Sequence, residues 1–447
     1  MINDASLLVQ PDEYGLLTDL YQLTMAACYV GEGLDQRRAS FELFVRRLPE
    51  GFGYLIAAGL ASALDYLEKF QFTPEQLAAL QATDIFTGAT AEFWHLLASG
   101  RFCGDVWAVP EGTAIFANEP ILRVEAPLWQ AQIVETYLLN AINYQTLIAT
   151  RAARLRDVAG PEAKLLEFGT RRAFSPQASL WAARAALAGG LDATSNVLAA
   201  LKLGRKPVGT MAHALVMAIT ALEGSETDSF EAFHRYFPGA ALLIDTYDTV
   251  AAAQRLGKKM PEALAGVRLD SGDLVTLSQQ VRQELPEVPI FASGDLDEQE
   301  IWRLRQAGAC IDGYGLGTKL VTGSPVNGVY KLTDIDGIPV MKESSGKFTY
   351  PGRKQIFRSA SGDRLGLATE SAPTDAEELL IPVMRHGQRL EHVETLDTIR
   401  TRASQSVAQL PETVRDVSHP EVPQAEISTA LQTLTDCTRR SQLATVS

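Results

Sequence analysis

LLEFGTRRAFSPQASLWAARAALAGGLDATSNVLAALKLGRKPVGTMAHA, residues 165–214, decides how the rest of the chain is read. A short apolar lead-in, Leu165-Leu166, runs into Phe168-Gly169-Thr170-Arg171-Arg172, where a glycine, a hydroxyl and two guanidiniums stand together. A helix-like run of small residues follows, then Asp192-Ala193-Thr194-Ser195-Asn196, then Gly209-Thr210-Met211-Ala212-His213. Strand, polar loop and helix in alternation is how α/β barrels and doubly wound sheets present a site. Two arginines directly after a buried strand are costly in a core, but they suit an anionic ligand such as a phosphate or carboxylate.

Working outward, 447 residues exceed what one hydrophobic core organises, so two domains are expected. Hydrophobic content of 46% with 21% charged residues fits a soluble enzyme, and a net charge of −14 argues against nucleic acid, which demands a basic footprint. Cys28, Cys103, Cys310 and Cys437 form no CxxC pair and read as reduced thiols of a cytoplasmic protein. The opening MINDASLLVQPDEYG has neither a basic n-region nor an apolar h-region, so no signal peptide is expected, and no run is apolar enough to span a membrane.

Downstream, apolar segments and helical segments alternate. Residues 241–244, 264–269, 288–292 and 309–312 read as strands. They end in Asp245-Thr246-Tyr247-Asp248, Asp270-Ser271-Gly272-Asp273, Ser293-Gly294-Asp295 and Gly313-Tyr314-Gly315-Leu316-Gly317-Thr318. Helical stretches at 249–256, 274–284 and 297–307 separate them. These are βα units with parallel strands, and the expectation is an irregular TIM-like α/β barrel with its polar residues after the strands. Upstream, 16–27 has helical spacing, 39–45 alternates like a strand, 102–124 reads as short strands and 128–158 as one long helix. Hairpins return at 329–383, with Asp336-Gly337 and Ser345-Gly346 as turn signals, and a final helix is read at 424–434. The organisation expected is therefore 1–127 as the first part of a smaller α/β sheet domain, 128–328 as the barrel, and 329–447 as the rest of the smaller domain with a tail.

The candidate chemistry sits at the strand ends. Gly313 to Gly317 is a poor dinucleotide fingerprint, because its third glycine is misplaced and no acid follows at the required distance. Backbone amides at Gly315, Gly317 and Thr318 suit a phosphate nonetheless, and Ser293-Gly294 on the preceding strand strengthens that reading. Asp245 and Asp248 could hold magnesium or ribose hydroxyls, or Asp248 could cap the next helix. Segment 242–249 lacks the adjacent acids and Thr-Gly turn of type I phosphoribosyltransferases. Arg268 and Asp270 share one strand face, since i and i+2 point together, and an arginine in so apolar a strand suggests a ligand over a surface ion pair. His213 is one of six histidines and lies in a glycine-threonine loop; a lone histidine is more often structural, yet neutral imidazole is a competent nucleophile toward phosphorus. HExxH, Walker and GxSxG motifs are absent, which disfavours metalloprotease, P-loop hydrolase and serine hydrolase chemistry.

Taken together, Thr18-Asp19-Leu20-Tyr21-Gln22-Leu23-Thr24-Met25, Glu167-Phe168-Gly169-Thr170-Arg171-Arg172, Thr194-Ser195-Asn196, Gly209-Thr210-Met211-Ala212-His213, Val267 to Asp273 and Gly315-Leu316-Gly317-Thr318 resemble the nicotinate phosphoribosyltransferase family, in family order over roughly residues 12–360. The resemblance implies a type II phosphoribosyltransferase acting on nicotinate and phosphoribosyl diphosphate, with ATP as co-substrate, Mg2+ as cofactor, and a head-to-tail homodimer with active sites at the subunit interface. It implies that Tyr21 of a neighbouring subunit stacks on the pyridine ring opposite Phe168, and that Arg171, Ser195, Thr210 and Arg268 meet nicotinate. His213 would be phosphorylated by ATP. Ser293, Gly294, Gly315, Gly317 and Thr318 would hold the ribose 5-phosphate, Arg171 and Lys354 would meet phosphates, and Asp270 would orient ring or ribose.

Substrate choice turns on Ser195. The related nicotinamide enzyme has an aspartate at the aligned position, which accepts from an amide but repels a carboxylate, whereas serine donates to one. Nicotinamide phosphoribosyltransferase is thus the weaker enzyme reading, quinolinate transfer needs a denser basic pocket, and a non-catalytic nucleotide-binding barrel would not need His213, Arg268, Asp270 and the glycines together.

Overall fold

Leu165-Leu166-Glu167 forms a strand with Lys164, and its neighbours assemble around it in parallel. We label the strands β1 (Lys164–Glu167), β2 (Ala193–Thr194), β3 (Leu242–Leu243), β4 (Val267–Leu269), β5 (Ile290–Ala292) and β6 (Gly313–Leu316). The computed structural model describes residues 9–259, 264–344, 347–390 and 394–446. The strands hydrogen-bond in the order β2-β1-β6-β5-β4-β3, every pair parallel. Leu165, Leu242, Leu243, Val267, Leu269 and Ile290 are fully buried, each worth roughly 1.5–3 kcal/mol of transfer free energy. Helices alternate with the strands: Pro176–Gly189, Val197–Lys202, His213–Glu223, Thr249–Lys259, Leu274–Glu284 and Glu298–Gln306. Their starts follow local chemistry. Ser175, Asn196, Asp273 and Asp297 each accept a backbone N–H as N-cap.

Where an irregular TIM-like barrel is expected, the fold is mixed α/β and carries this six-stranded parallel sheet. Among the described residues no strand ladder joins the edges β2 and β3. The extended segment 207–211 lies there instead, with Val208 N–H donating to Thr194 O at 2.9 Å and the Thr210 hydroxyl donating to Ala241 O at 2.5 Å. Pro207 has no N–H to give a ladder, and Gly209 has no side chain to pack on one.

The last strand also departs from expectation. It is Gly313–Leu316 itself, not 309–312. A Cβ on Gly313 would come within 2.6 Å of the Phe291 ring, and one on Gly315 within 2.7 Å of the Phe168 ring. The glycines therefore mark close approach of two aromatic rings to a strand, and only Gly317 lies beyond it.

The chain divides into two compact units. This parallel sheet belongs to the one made of Leu147–Ser324 with Leu396–Glu421; the other combines the chain up to Thr146 with Pro325–Thr395 and the stretch from Val422 onward. The joins fall at 146/147 and 324/325 where 128 and 329 are expected; helix Leu128–Ile133 packs on strands Arg38–Val45 and Pro120–Pro127 and so belongs with them. Stretch 396–421 holds the helix Leu396–Ala408, unforeseen in so polar a sequence; Arg400 ties it to Asp192 at 2.6 Å, and Arg415 binds Asp157 at 2.7 Å.

In that other unit a seven-stranded sheet is antiparallel throughout. Strands Arg38–Val45, Asp105–Ala108 and Pro120–Pro127 pair with Gly328–Ile335 and Ile381–Arg385 from far along the chain. Asp336-Gly337 makes the two-residue hairpin expected of it, with φ of 50° and 81°. Ser345-Gly346, like the first eight residues, lies outside the described residues. The predicted long helix is two, broken at Val134 (Leu128–Ile133 and Glu135–Ala159), and the final helix is Thr429–Val446.

Candidate active site

Parallel strands leave all their C-terminal ends on one edge, and a cavity of about 1000 Å3 opens there. Phe168, Arg171, Ser195, Thr210, His213, Arg268, Asp270, Ser293, Gly294, Gly315, Gly317 and Thr318 all line it. Residues spread over 150 positions are brought together because most lie on or just after a strand of the same sheet, while Thr210 and His213 lie on or just after segment 207–211 at its edge.

Phe168 follows β1; its N–H donates to Leu316 O at 2.7 Å, and its ring lies against Gly315. Ser195 follows β2, its N–H donating to Glu167 O at 2.9 Å. Asp192, only three residues away, sits at the opposite end of β2. Burial alone would raise its pKa, but the Leu165 N–H, Arg400 and Arg156 outweigh that and hold it below the ordinary carboxylate value. Ser195, not Asp192, therefore faces the cavity.

Arg268 on β4 is the half-buried cation of the site. Its Nη2 donates to Met211 O at 3.2 Å, while Nε is buried without a partner. Burial pulls its pKa down; Asp270 and Asp245 oppose this, and Arg171 adds to the lowering. Neither Arg268 nor Arg171 forms an ion pair within 4 Å among the described residues. Guanidinium stays protonated regardless, so the cavity keeps unspent positive charge and free donors.

Asp270 is fixed from two sides. Its N–H and the Ser271 hydroxyl both donate to Asp245 Oδ2, at 2.9 and 2.7 Å, and the Ser293 hydroxyl donates to its Oδ1. His213 opens helix His213–Glu223, with Nδ1 3.0 Å from Thr246 Oγ1 and Nε2 3.9 Å from Asp245 Oδ1. That carboxylate oxygen is buried and has no hydrogen bond of its own. Gly294 turns at φ 98°, followed by Asp295 at 47°, and a side chain at Gly294 would strike Asp270 O.

Other expected site residues have partners within the protein. Lys354, expected at a phosphate, is fully buried in the other unit, its ammonium ion-paired with Glu42 Oε2 at 2.8 Å and donating to Tyr350 O at 2.7 Å and Gly352 O at 2.9 Å. Asp248 caps helix Thr249–Lys259 through the Ala251 N–H at 2.9 Å, and Asp245 accepts at Oδ2 alone. Among the described residues no group of three or more His, Cys, Asp or Glu is arranged to hold a metal. Thr210 lines the cavity, its hydroxyl donating to Ala241 O at 2.5 Å. Tyr21 also belongs to the other unit, half exposed, its hydroxyl donating to Glu135 Oε2 at 3.3 Å.

Sequence reasoning passed over Glu167 and Thr246. Glu167 is buried, accepting from the Gly169 N–H and the Thr194 hydroxyl; burial raises its pKa against those two bonds. An acid inside an apolar strand, flanked by pocket residues, was the available signal. Thr246 carried none.

Comparison with known proteins places these residues in context. The nicotinate phosphoribosyltransferase N-terminal domain model matches residues 16–143, the family model 163–355 and the C-terminal domain model 366–435. A nicotinate phosphoribosyltransferase of Mycobacterium tuberculosis is 43% identical over 90% of this chain and 89% of its own, and that of Bacillus subtilis 45% over 78% and 73%. The crystal structure of human nicotinic acid phosphoribosyltransferase superposes with a TM-score of 0.82 at 31% identity, covering 94% of this chain and 99% of that one. A nicotinate-nucleotide pyrophosphorylase from Pyrococcus furiosus reaches 0.75 at 25% identity, with 90% and 98% covered. No described helix is long and apolar enough to cross a membrane.

Proposed function

The chain belongs to the nicotinate phosphoribosyltransferase family, and from that premise we propose that it joins nicotinate to phosphoribosyl diphosphate, giving nicotinate mononucleotide and pyrophosphate for NAD biosynthesis. The observation that carries the reading is Arg268, a half-buried cation with an unpartnered Nε on a cavity that also holds Arg171 and Ser195. A pyridine carboxylate supplies the missing charge and acceptors. The pyridine nitrogen attacks the anomeric carbon of the ribose, the carbon–oxygen bond to the diphosphate breaks, and its electron pair leaves with pyrophosphate. No proton moves, so Asp270 has ring or ribose to orient and nothing to deprotonate. Arg171, together with the amides around Gly294, Gly317 and Thr318, receives the phosphate groups, neutralising charge as it grows on the leaving group.

His213 is proposed as the residue that takes the γ-phosphoryl of ATP, an imidazole nitrogen attacking phosphorus while ADP leaves. In support, the ring is part exposed, borders the cavity at a helix N-terminus and is flanked by Thr246 and Asp245. Asp245 keeps a buried Oδ1 without a hydrogen bond, but Asp248 caps a helix and no group of three or more His, Cys, Asp or Glu among the described residues is arranged to hold a metal, so the pair does not build a resident magnesium site. Magnesium would therefore arrive with the diphosphates. We further propose a homodimer in which Tyr21 of a second copy covers the pyridine ring opposite Phe168; exposed Leu17, Leu20 and Tyr21 support a covered surface there. The cavity itself is proposed to be an irregular barrel mouth. A cytoplasmic location suits the four free cysteines.

The test is pyrophosphate release with nicotinate, nicotinamide or quinolinate as acceptor, with and without ATP, in wild type and His213→Ala. Nicotinate-dependent release, stimulated by ATP only when His213 is present, is expected. Release with nicotinamide but not nicotinate contradicts the substrate, no release with any acceptor favours a binding protein, and full ATP stimulation of His213→Ala removes the histidine from phosphoryl transfer.

A further inference from the structure

Glu167 is 1% exposed, and no cation lies within ion-pair distance of it among the described residues. A carboxylate so enclosed needs its hydrogen bonds, and these two fall on particular places. Oε1 accepts the Gly169 N–H and Oε2 accepts the Thr194 hydroxyl. Glu167 and Thr194 face each other across the parallel β1–β2 pair. The Thr194 oxygen in turn accepts the Asn196 N–H at 2.9 Å. Asn196 is anchored beyond that, its Oδ1 accepting the Ala199 N–H at 3.1 Å and its Nδ2 donating to Ser179 Oγ at 3.2 Å.

The consequence is symmetrical. Phe168 stands between Glu167 and Gly169, which one carboxylate clips together. Ser195 stands between Thr194 and Asn196, which one hydroxyl clips together, and the carboxylate binds that hydroxyl. Glu167 O also accepts the Ser195 N–H at 2.9 Å. A hydrophobic residue would fill the same space, but it would leave the Gly169 amide and the Thr194 hydroxyl without this acceptor, and both pocket residues free to shift.

We propose that Glu167 is a positioning residue that fixes the spacing between Phe168 and Ser195, and through it the preference of the site for a pyridine carboxylate over a pyridine carboxamide. This rests on the nicotinate reading of the cavity. Ring platform and discriminating hydroxyl must hold one separation for a flat, rigid acceptor, and sub-ångström displacement suffices to lose orientation.

Steady-state kinetics on Glu167→Ala, Glu167→Gln and Thr194→Val test it, with both acceptors and with thermal midpoints measured in parallel. In Glu167→Ala, kcat/KM for nicotinate should fall by about tenfold or more, while KM for phosphoribosyl diphosphate changes by less than about threefold. The nicotinate-to-nicotinamide ratio should shrink with it. Glu167→Gln should recover most of the loss, because a carboxamide still accepts from Gly169 and donates to the Thr194 oxygen. Thr194→Val, nearly isosteric, should shift the ratio in the same direction by less, and it carries the test if the alanine variant does not fold. An unchanged ratio, a glutamine as damaging as alanine, or equal losses for both substrates that track lost stability would overturn the role. Wild-type protein without nicotinate-dependent release would sink the transferase reading beneath it; an active wild type with an unchanged ratio in the variants sinks only Glu167.

Discussion

Two places in the molecule gather arginine, lysine and carboxylate, and they differ in what is left over. In the unit with the antiparallel sheet, Lys354 is ion-paired with Glu42 and donates to Tyr350 O and Gly352 O, while Arg123 Nε meets Glu125 at 3.0 Å and its Nη1 donates to Lys354 O at 2.5 Å. Side-chain exposure of these four groups is 7% or less. On the C-terminal edge of the parallel sheet, Arg268 has one bond to a carbonyl and a bare Nε, and Arg171 has no carboxylate partner within 4 Å among the described residues. The first is a closed account of charge; the second is an unfinished one that a ligand completes. Basic residues in a sequence do not distinguish the two, because pairing is a tertiary fact.

Breaking the closed cluster should have the largest effect. Lys354→Met leaves Glu42 buried without its cation and is expected to cost about 3–5 kcal/mol of stability, read as a lowered thermal midpoint. KM for phosphoribosyl diphosphate in the folded enzyme should not move. A raised KM with an unchanged midpoint would return Lys354 to the phosphate site.

At the open edge, Ser195→Asp sharpens the contrast by adding the charge the site lacks. Nicotinate kcat/KM should fall by about 10- to 100-fold while nicotinamide gains, since a carboxylate against a carboxylate is repelled and an amide is not. Equal effects on both acceptors would mean that Ser195 does not face the carboxyl group.

The smallest effect belongs to Asp192, paired with Arg156 and Arg400 away from the cavity. Its pKa is depressed in the folded protein, so its stabilisation is present above the unfolded value of about 3.9 and is lost as the pH falls through the lower folded value. Arg400→Met should therefore move the acid-unfolding midpoint upward by a fraction of a unit and leave acceptor kinetics alone. An unmoved midpoint would show that the pair contributes nothing in acid.

Much of the edge was legible because βα alternation is written in local pattern. A run such as Val267-Arg268-Leu269-Asp270 states both the strand and the two side chains at its end, and Ser195 follows from the same rule. Illegible features had tertiary causes. Gly313 and Gly315 look like a phosphate loop, yet their small size answers the Phe291 and Phe168 rings, which the sequence does not bring near them. The strand shift follows from that. Helix 396–408 is polar on most faces and gains its place from Arg400 against a distant Asp192. Lys354 looked free because Glu42 is 312 residues away.

The unfinished charge at Arg268 is the centre of the account, and equilibrium binding of nicotinate to Arg268→Met tests it most directly. Affinity should fall by about 30-fold, or roughly 2 kcal/mol, while the thermal midpoint holds or rises because a half-buried, poorly paired cation has been removed. Nicotinate bound as tightly as by wild type, or affinity and midpoint falling together, would contradict it.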